Sequence, residues 1–238
     1  MSITLLLLGF LIGMRHAVEA DHVAAVASLA TRSEGLAESL RQGAAWGFGH
    51  TLTLFLFGSL VLVLDLAMPE TLALGLEFAV GLMLICLGCD VLWRLARERI
   101  HFHTHRHDDG AVHFHAHSHA GEPGHDPARH AHRHPSGFPT RAVLVGLMHG
   151  MAGSAALIVL TLQTVRSPLA GLAYIALFGL GSIVGMALLS VVIAIPLRLS
   201  AKSMTWLHNG LQGVVGIATV AIGCGLVYRT GWHEHLLF

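Results

Sequence analysis

Five ionisable side chains, Arg15, His16, Glu19, Asp21 and His22, fall within eight positions of an otherwise apolar run. The flanking residues, Ile3 to Ile12 and Ala24 to Ala30, have the composition of a membrane-crossing helix. Charge is expensive at membrane depth, so ionisable groups there mark a substrate, ion or proton pathway. On a helix, His16, Glu19 and His22 step by three and share one face. Arg15 precedes Glu19 by four, the spacing of a neutralising pair. Asp21 falls about 140° from His16 on an ideal helix, so it joins the others only where the helix is bent or unwound. Gly13 and the density of polar groups make this a place for such a break.

Imidazole suits late first-row divalent metals such as nickel, cobalt, copper and zinc, whereas magnesium and calcium prefer oxygen. Two imidazoles, a carboxylate and a third imidazole from His50 describe a site for a borderline metal. No thiolate accompanies them: Cys86, Cys89 and Cys224 lie in apolar segments and read as small packing residues. The bland alternative is a buried Arg15–Glu19 pair with histidines bonded to neighbouring helices.

The rest of the chain must position this cluster in a membrane. Of 238 residues, 54% are hydrophobic and 12% charged, with a mean hydropathy of +0.66. Soluble domains carry about 25% charged residues, so the chain reads as a polytopic membrane protein. Its zero formal net charge gives no signal for nucleic acid. No cleavable signal peptide is expected, because the first segment lacks a positive leading region. Six apolar spans are long enough to cross a bilayer, which requires roughly 20 residues of helix. They cover about 3–30, 43–65, 71–96, 140–164, 169–196 and 206–228. Asp90 and Glu77 in the third span are expected in pairing or end-of-helix roles.

Residues 97–138 hold twelve of the nineteen histidines, in H-x-H runs mixed with Asp, Gly and Pro. This composition is expected to be disordered without a ligand and to bind metal. Arg32, Arg41, the group from Arg94 to Arg141, Arg198 and Lys202 fall on one side of a six-span topology, against Arg166 and Arg229 on the other. The bias predicts a cytoplasmic histidine loop and both termini outside.

The two halves resemble each other. Gly13-Met-Arg-His16 matches Gly146-Leu-Met-His149, and Phe48-Gly-His50 matches Leu180-Gly-Ser182. Gly81, Gly88, Cys89 and Arg94 match Gly216, Gly223, Cys224 and Arg229. The offsets are 133, 132 and 135. The expected fold is thus an all-α membrane protein of six transmembrane helices arranged as two inverted three-helix repeats, residues 1–96 and 139–238, joined by the loop. Transporters of this plan hold substrate near the midplane between repeats, which would bring His149 towards His16.

Arg15-His-Ala-Val-Glu-Ala-Asp-His-Val23 resembles the signature of the nickel/cobalt transporter superfamily, and Gly47-Phe-Gly-His-Thr-Leu-Thr53 is similar to its second signature. The six spans are closer to the shorter, urease-accessory-type branch, and the histidine loop resembles that of nickel/cobalt exporters. The resemblance implies roles in metal recognition for His16, Asp21, His22 and His50. Taken with the residue reading, it gives a metal set of His16, Glu19, Asp21, His22, His50 and His149. The expectation is a multi-pass inner-membrane transporter, not an enzyme, with Ni²⁺ or Co²⁺ as cargo and no cofactor. Its partners would be the divalent ion, membrane lipid and a candidate metalloenzyme maturation system. Uptake is the expected direction, with efflux or a non-transporting metal chaperone as alternatives.

Overall fold

The computed structural model describes residues 3–33, 35–64, 69–98, 101–106, 112–117, 139–151 and 167–234. Its helices are α1 (Ile3–His16), α2 (Ala20–Ala30), α3 (Leu36–Leu64), α4 (Glu70–Glu98), α5 (described over 140–151), α6 (Pro168–Ser203) and α7 (Thr205–Tyr228). A π-helical turn, Arg229–His233, extends α7. Four stretches are long and apolar enough to cross a membrane: Leu36–Val61, Glu70–Arg97, Leu169–Ala201 and Thr205–Trp232. The remainder of the expected fourth span, 152–164, lies outside the described residues. α6 runs past the expected stop at Pro196 to Ser203, as membrane bundles allow when neighbours satisfy the freed backbone groups.

The first expected span divides in two. α1 and α2 have 14 and 11 residues, about 21 and 17 Å at 1.5 Å per residue, each short of the roughly 30 Å hydrocarbon core. The break falls at Ala17-Val18-Glu19, not at Gly13. Val18 N–H bonds the Arg15 carbonyl (3.0 Å) and Glu19 N–H the His16 carbonyl (3.1 Å), both three residues back. Glu19 is then extended, with φ −65° and ψ 147°, and begins α2. In the first turn of α2, Asp21 Oδ1 accepts the otherwise unpaired N–H of His22 at 2.9 Å. A carboxylate is favoured at the positive end of a helix. A local carboxylate–amide bond thus anchors the second helix where the first has ended.

Small residues set the packing, as expected where lipid removes the hydrophobic drive between helices. A Cβ on Gly13 would collide with the Phe178 carbonyl, and one on Gly146 with the Trp46 carbonyl. The same holds for Gly181 against Phe10 and for Gly49 against Val143. α4 and α7 cross at two glycine pairs, where a Cβ on Gly81 would lie 3.0 Å from the Gly223 carbonyl oxygen and one on Gly88 2.7 Å from that of Gly216. These contacts make α1 and α6 run parallel, as do α3 and α5. α3 with α6 and α4 with α7 run antiparallel. The buried hydroxyls of Ser28 and Thr219 meet at 3.0 Å and tie α2 to α7.

Ion pairs close both ends. Asp90 pairs with Arg32 (2.6 Å), Arg141 (3.3 Å) and Arg94 (3.4 Å), joining the α2–α3 connection, α4 and α5. At the opposite end Arg229 pairs with Glu77 and lies 3.7 Å from Glu234. Asp90 and Glu77 thus have the pairing roles read from the sequence.

Two described stretches of the histidine-rich segment are extended. Strands β1 (His101–Arg106) and β2 (Val112–His117) form an antiparallel hairpin with His101, His103 and His105 opposite His117, His115 and His113. The H-x-H alternation has the period of a strand. These are the only strands among the described residues, and the rest of 99–138 lies outside them.

The packing predicts opposite outcomes for two glycine substitutions. Gly146→Ala should lower stability by about 1–3 kcal/mol through overpacking. Gly75→Ala, with nothing within 4 Å of its added Cβ, should be neutral or gain up to about 1 kcal/mol of helix propensity. Thermal unfolding of both variants in detergent checks this.

Candidate metal centre

The break in the first span brings its polar residues together. His16 is the last residue of α1, His22 lies in the first turn of α2, and His50 sits midway along α3. One ring nitrogen from each lies within 4.8 Å of the other two. Ring centroids are 4.2 Å apart for His16–His22, 5.0 Å for His22–His50 and 5.3 Å for His16–His50. His22 and His50 are 1% and 0% exposed.

Hydrogen bonding sorts the nitrogens. His16 Nδ1 meets Glu19 Oε1 at 2.9 Å, and His22 Nδ1 meets Asp21 Oδ1 at 2.9 Å. His16 Nε2, His22 Nε2 and both nitrogens of His50 are buried with no hydrogen-bond partner among the described residues. A proton on Nδ1, donated to a carboxylate, leaves Nε2 with its lone pair. Carboxylate–histidine pairs of this kind orient metal-binding imidazoles and raise their basicity. Buried polar atoms are nearly always satisfied, and one such nitrogen from each of the three rings gives the donor set that a lone-pair acceptor needs.

Not every expected residue enters this group. Glu19 was expected among the ligands with Arg15 as its neutralising partner, but its carboxylate, 57% exposed, holds His16 instead. Asp21 turns to the other side: Oδ1 holds His22, and Oδ2 meets His149 Nε2 at 3.0 Å. Asp21, His22 and His149 thereby form a second three-donor group, also within 4.8 Å. His149 comes from α5 and is 1% exposed. Ser182, the counterpart of His50, donates to the Gly13 carbonyl at 3.2 Å and serves helix packing. The three cysteines are exposed on α4 and α7 rather than packed, and none joins either group.

Trp46 is a site residue that the sequence reading missed. Fully buried, its ring lies 5.4 Å from His22, 5.5 Å from His149 and 6.1 Å from His50, forming an apolar wall. Its position four residues before His50 places it on the same helix face, which was the available signal. Phe178 lies 5.3 Å from His16. A further buried histidine, His208, bonds the Leu197 carbonyl (2.9 Å) and Gln212 (2.8 Å) between α6 and α7 and belongs to their packing. The arrangement is a largely buried, nitrogen-rich cluster without thiolate among the described residues, suited to a borderline divalent ion.

Comparison with known proteins places this chain in a family. Residues 2–223 match NicO, described as "High-affinity nickel-transport protein". The chain is 33% identical over 237 residues to the urease accessory protein UreH of Bacillus sp. (strain TB-90), covering 98% of this chain and 95% of the relative. It is 28% identical over 221 residues to the Arabidopsis thaliana chloroplast protein FOR GROWTH AND FERTILITY 1, covering 92% of this chain and 57% of that one. No solved structure matches the chain. A family of transport and accessory proteins, not of enzymes, thus accounts for nearly the whole length: the chain belongs to the NicO high-affinity nickel-transport family.

Proposed function

We propose that this protein is a six-crossing secondary transporter that takes Ni²⁺ or Co²⁺ into the cell through a site formed by His16, His22 and His50. Glu19 and Asp21 orient the first two rings, and His149 contributes from the other half. The observation that carries the reading is the convergence of partnerless, buried imidazole nitrogens at a helix break in a chain of this family. Broken helices with irregular backbone at membrane depth are how secondary transporters build ion sites.

Two inverted three-helix repeats are the architecture we infer. Under offsets of 133 and 132, Gly13 corresponds to Gly146 and Trp46 to Phe178. The contact of Gly13 with Phe178 is then the same contact as that of Gly146 with Trp46, with the halves exchanged. Gly49 with Val143 and Gly181 with Phe10 form a second reciprocal set. Gly81 with Gly223 and Gly88 with Gly216 form a third, under the offset of 135. Contacts that return when the partners are swapped are the mark of a two-fold axis. α1 and α2 together make the first crossing. Gly9 packs on Tyr174 near the start of α6, while Arg32 reaches Asp90 near the end of α4.

The arginine bias puts the Asp90 end and the histidine-rich segment in the cytoplasm, with both termini outside. There the histidines would collect incoming metal. Uptake fits a family described as high-affinity and a relative named for an accessory role to urease. We extend that link to this chain as supply of metal to an enzyme-maturation partner.

Cells expressing the protein should accumulate Ni²⁺ or Co²⁺ above controls, and His22→Ala or His50→Ala should abolish the excess. Wild-type accumulation in both variants contradicts the site. Glu19→Gln and Asp21→Asn should reduce it by about 10–100-fold, the scale for losing an outer-sphere partner of a metal ligand. Deleting residues 100–137 should leave flux in place. A metal chaperone without transport predicts its complete loss, so the same accumulation assay separates the two.

A further inference from the structure

The two donor groups differ in which half of the protein supplies them. His16, His22 and His50 all belong to the first three-helix unit, whereas the group of Asp21, His22 and His149 needs α5 from the second. Both contain His22, whose ring has two distinct edges. Nε2 is buried and partnerless, while Nδ1 faces Asp21. On the far side of Asp21 the His149 ring centroid lies 4.2 Å from that of His22, and His149 Nδ1 is buried without a partner among the described residues. The single carboxylate here spans two imidazoles, Oδ1 to His22 Nδ1 at 2.9 Å and Oδ2 to His149 Nε2 at 3.0 Å.

We infer that Asp21, His22 and His149 form a second metal position on the Nδ1 side of the His22 ring, to which the ion passes from the position of His16, His22 and His50. This rests on the cargo reading above. A neutral imidazole offers a lone pair on only one nitrogen at a time. An ion on Nε2 leaves the His22 proton on Nδ1, held by Asp21. An ion on Nδ1 puts it on Nε2. The two positions therefore exclude each other, and His22 is the wall between them. The first position travels with the first repeat. The second exists only while α5 packs against the break, so movement of one repeat against the other assembles and dismantles it. Alternating access works by such movement. In the structure described here, Asp21 bridges the two imidazoles directly.

The test uses the full chain reconstituted in lipid vesicles, with ⁶³Ni²⁺ as probe, in the wild type and in His50→Ala, His149→Ala and His149→Gln variants. Equilibrium retention and flux are both measured, and retention by the buried site is taken as the part lost in His50→Ala. Both His149 variants should keep that retention within about threefold, while maximal flux falls by about tenfold or more, at least the scale of losing an outer partner. Glutamine can still donate a hydrogen bond to Asp21 but is a poor ligand for a borderline metal. Wild-type flux in His149→Gln therefore overturns the inference and reduces the contact to packing. Loss of retention together with flux in His149→Gln also overturns it, in favour of one undivided site. Wild-type retention and flux in His50→Ala would instead remove the cargo site itself, a separate failure.

Discussion

Asp21 makes the contact on which the rest of the structure depends. Its carboxylate accepts the His22 backbone N–H, holds the His22 ring and reaches His149 across to α5. A carboxylate at membrane depth is tolerated only when its oxygens are engaged by donors. On a continuous helix Asp21 would face away from His16, and the two could not serve one cluster. The helix therefore ends at His16 and restarts at Ala20, and that interruption swings His22 back onto His16. Polar satisfaction of one side chain thus dictates the backbone, and the backbone assembles the imidazoles.

Such a break is admissible only if the surrounding helices are very close. Carbonyl-to-glycine contacts at Gly13 and Gly146 bring α1 onto α6 and α5 onto α3 at backbone distance, which brings His50 and His149 into range. The fully buried Trp46 completes the wall. Ion-pair clusters around Asp90 and Arg229 lie at the two ends of the bundle, where water screens them and each pair adds little by itself. Between the ends the described interior is apolar apart from the candidate metal centre and a few hydroxyl, amide and histidine contacts.

Much of this was legible in the sequence because the signals were chemical. Charged residues in an apolar run located the centre, and helical spacing showed that Asp21 needed a bend. The resemblance between halves indicated His149 as a partner. The position of the break was not legible, since no proline or glycine sits at Ala17-Val18-Glu19 and the Asp21–His149 contact beside it spans 128 positions. The partner of Glu19 was misread because Arg15 and His16 both stand at pairing distance along a helix, and only the unwound turn decides between them. Trp46 looked like an ordinary apolar helix residue. The hairpin within the histidine-rich stretch was hidden by composition, although its alternation has the period of a strand.

The most direct test of the centre is X-ray absorption at the metal edge of the Ni²⁺-loaded protein lacking residues 100–137, so that the histidine-rich segment does not contribute. The account predicts a nitrogen-rich first shell with the multiple scattering of about three imidazoles and no sulfur, and loss of that imidazole-bound nickel in His50→Ala. A shell of oxygen alone, or a spectrum unchanged by His50→Ala, would contradict it.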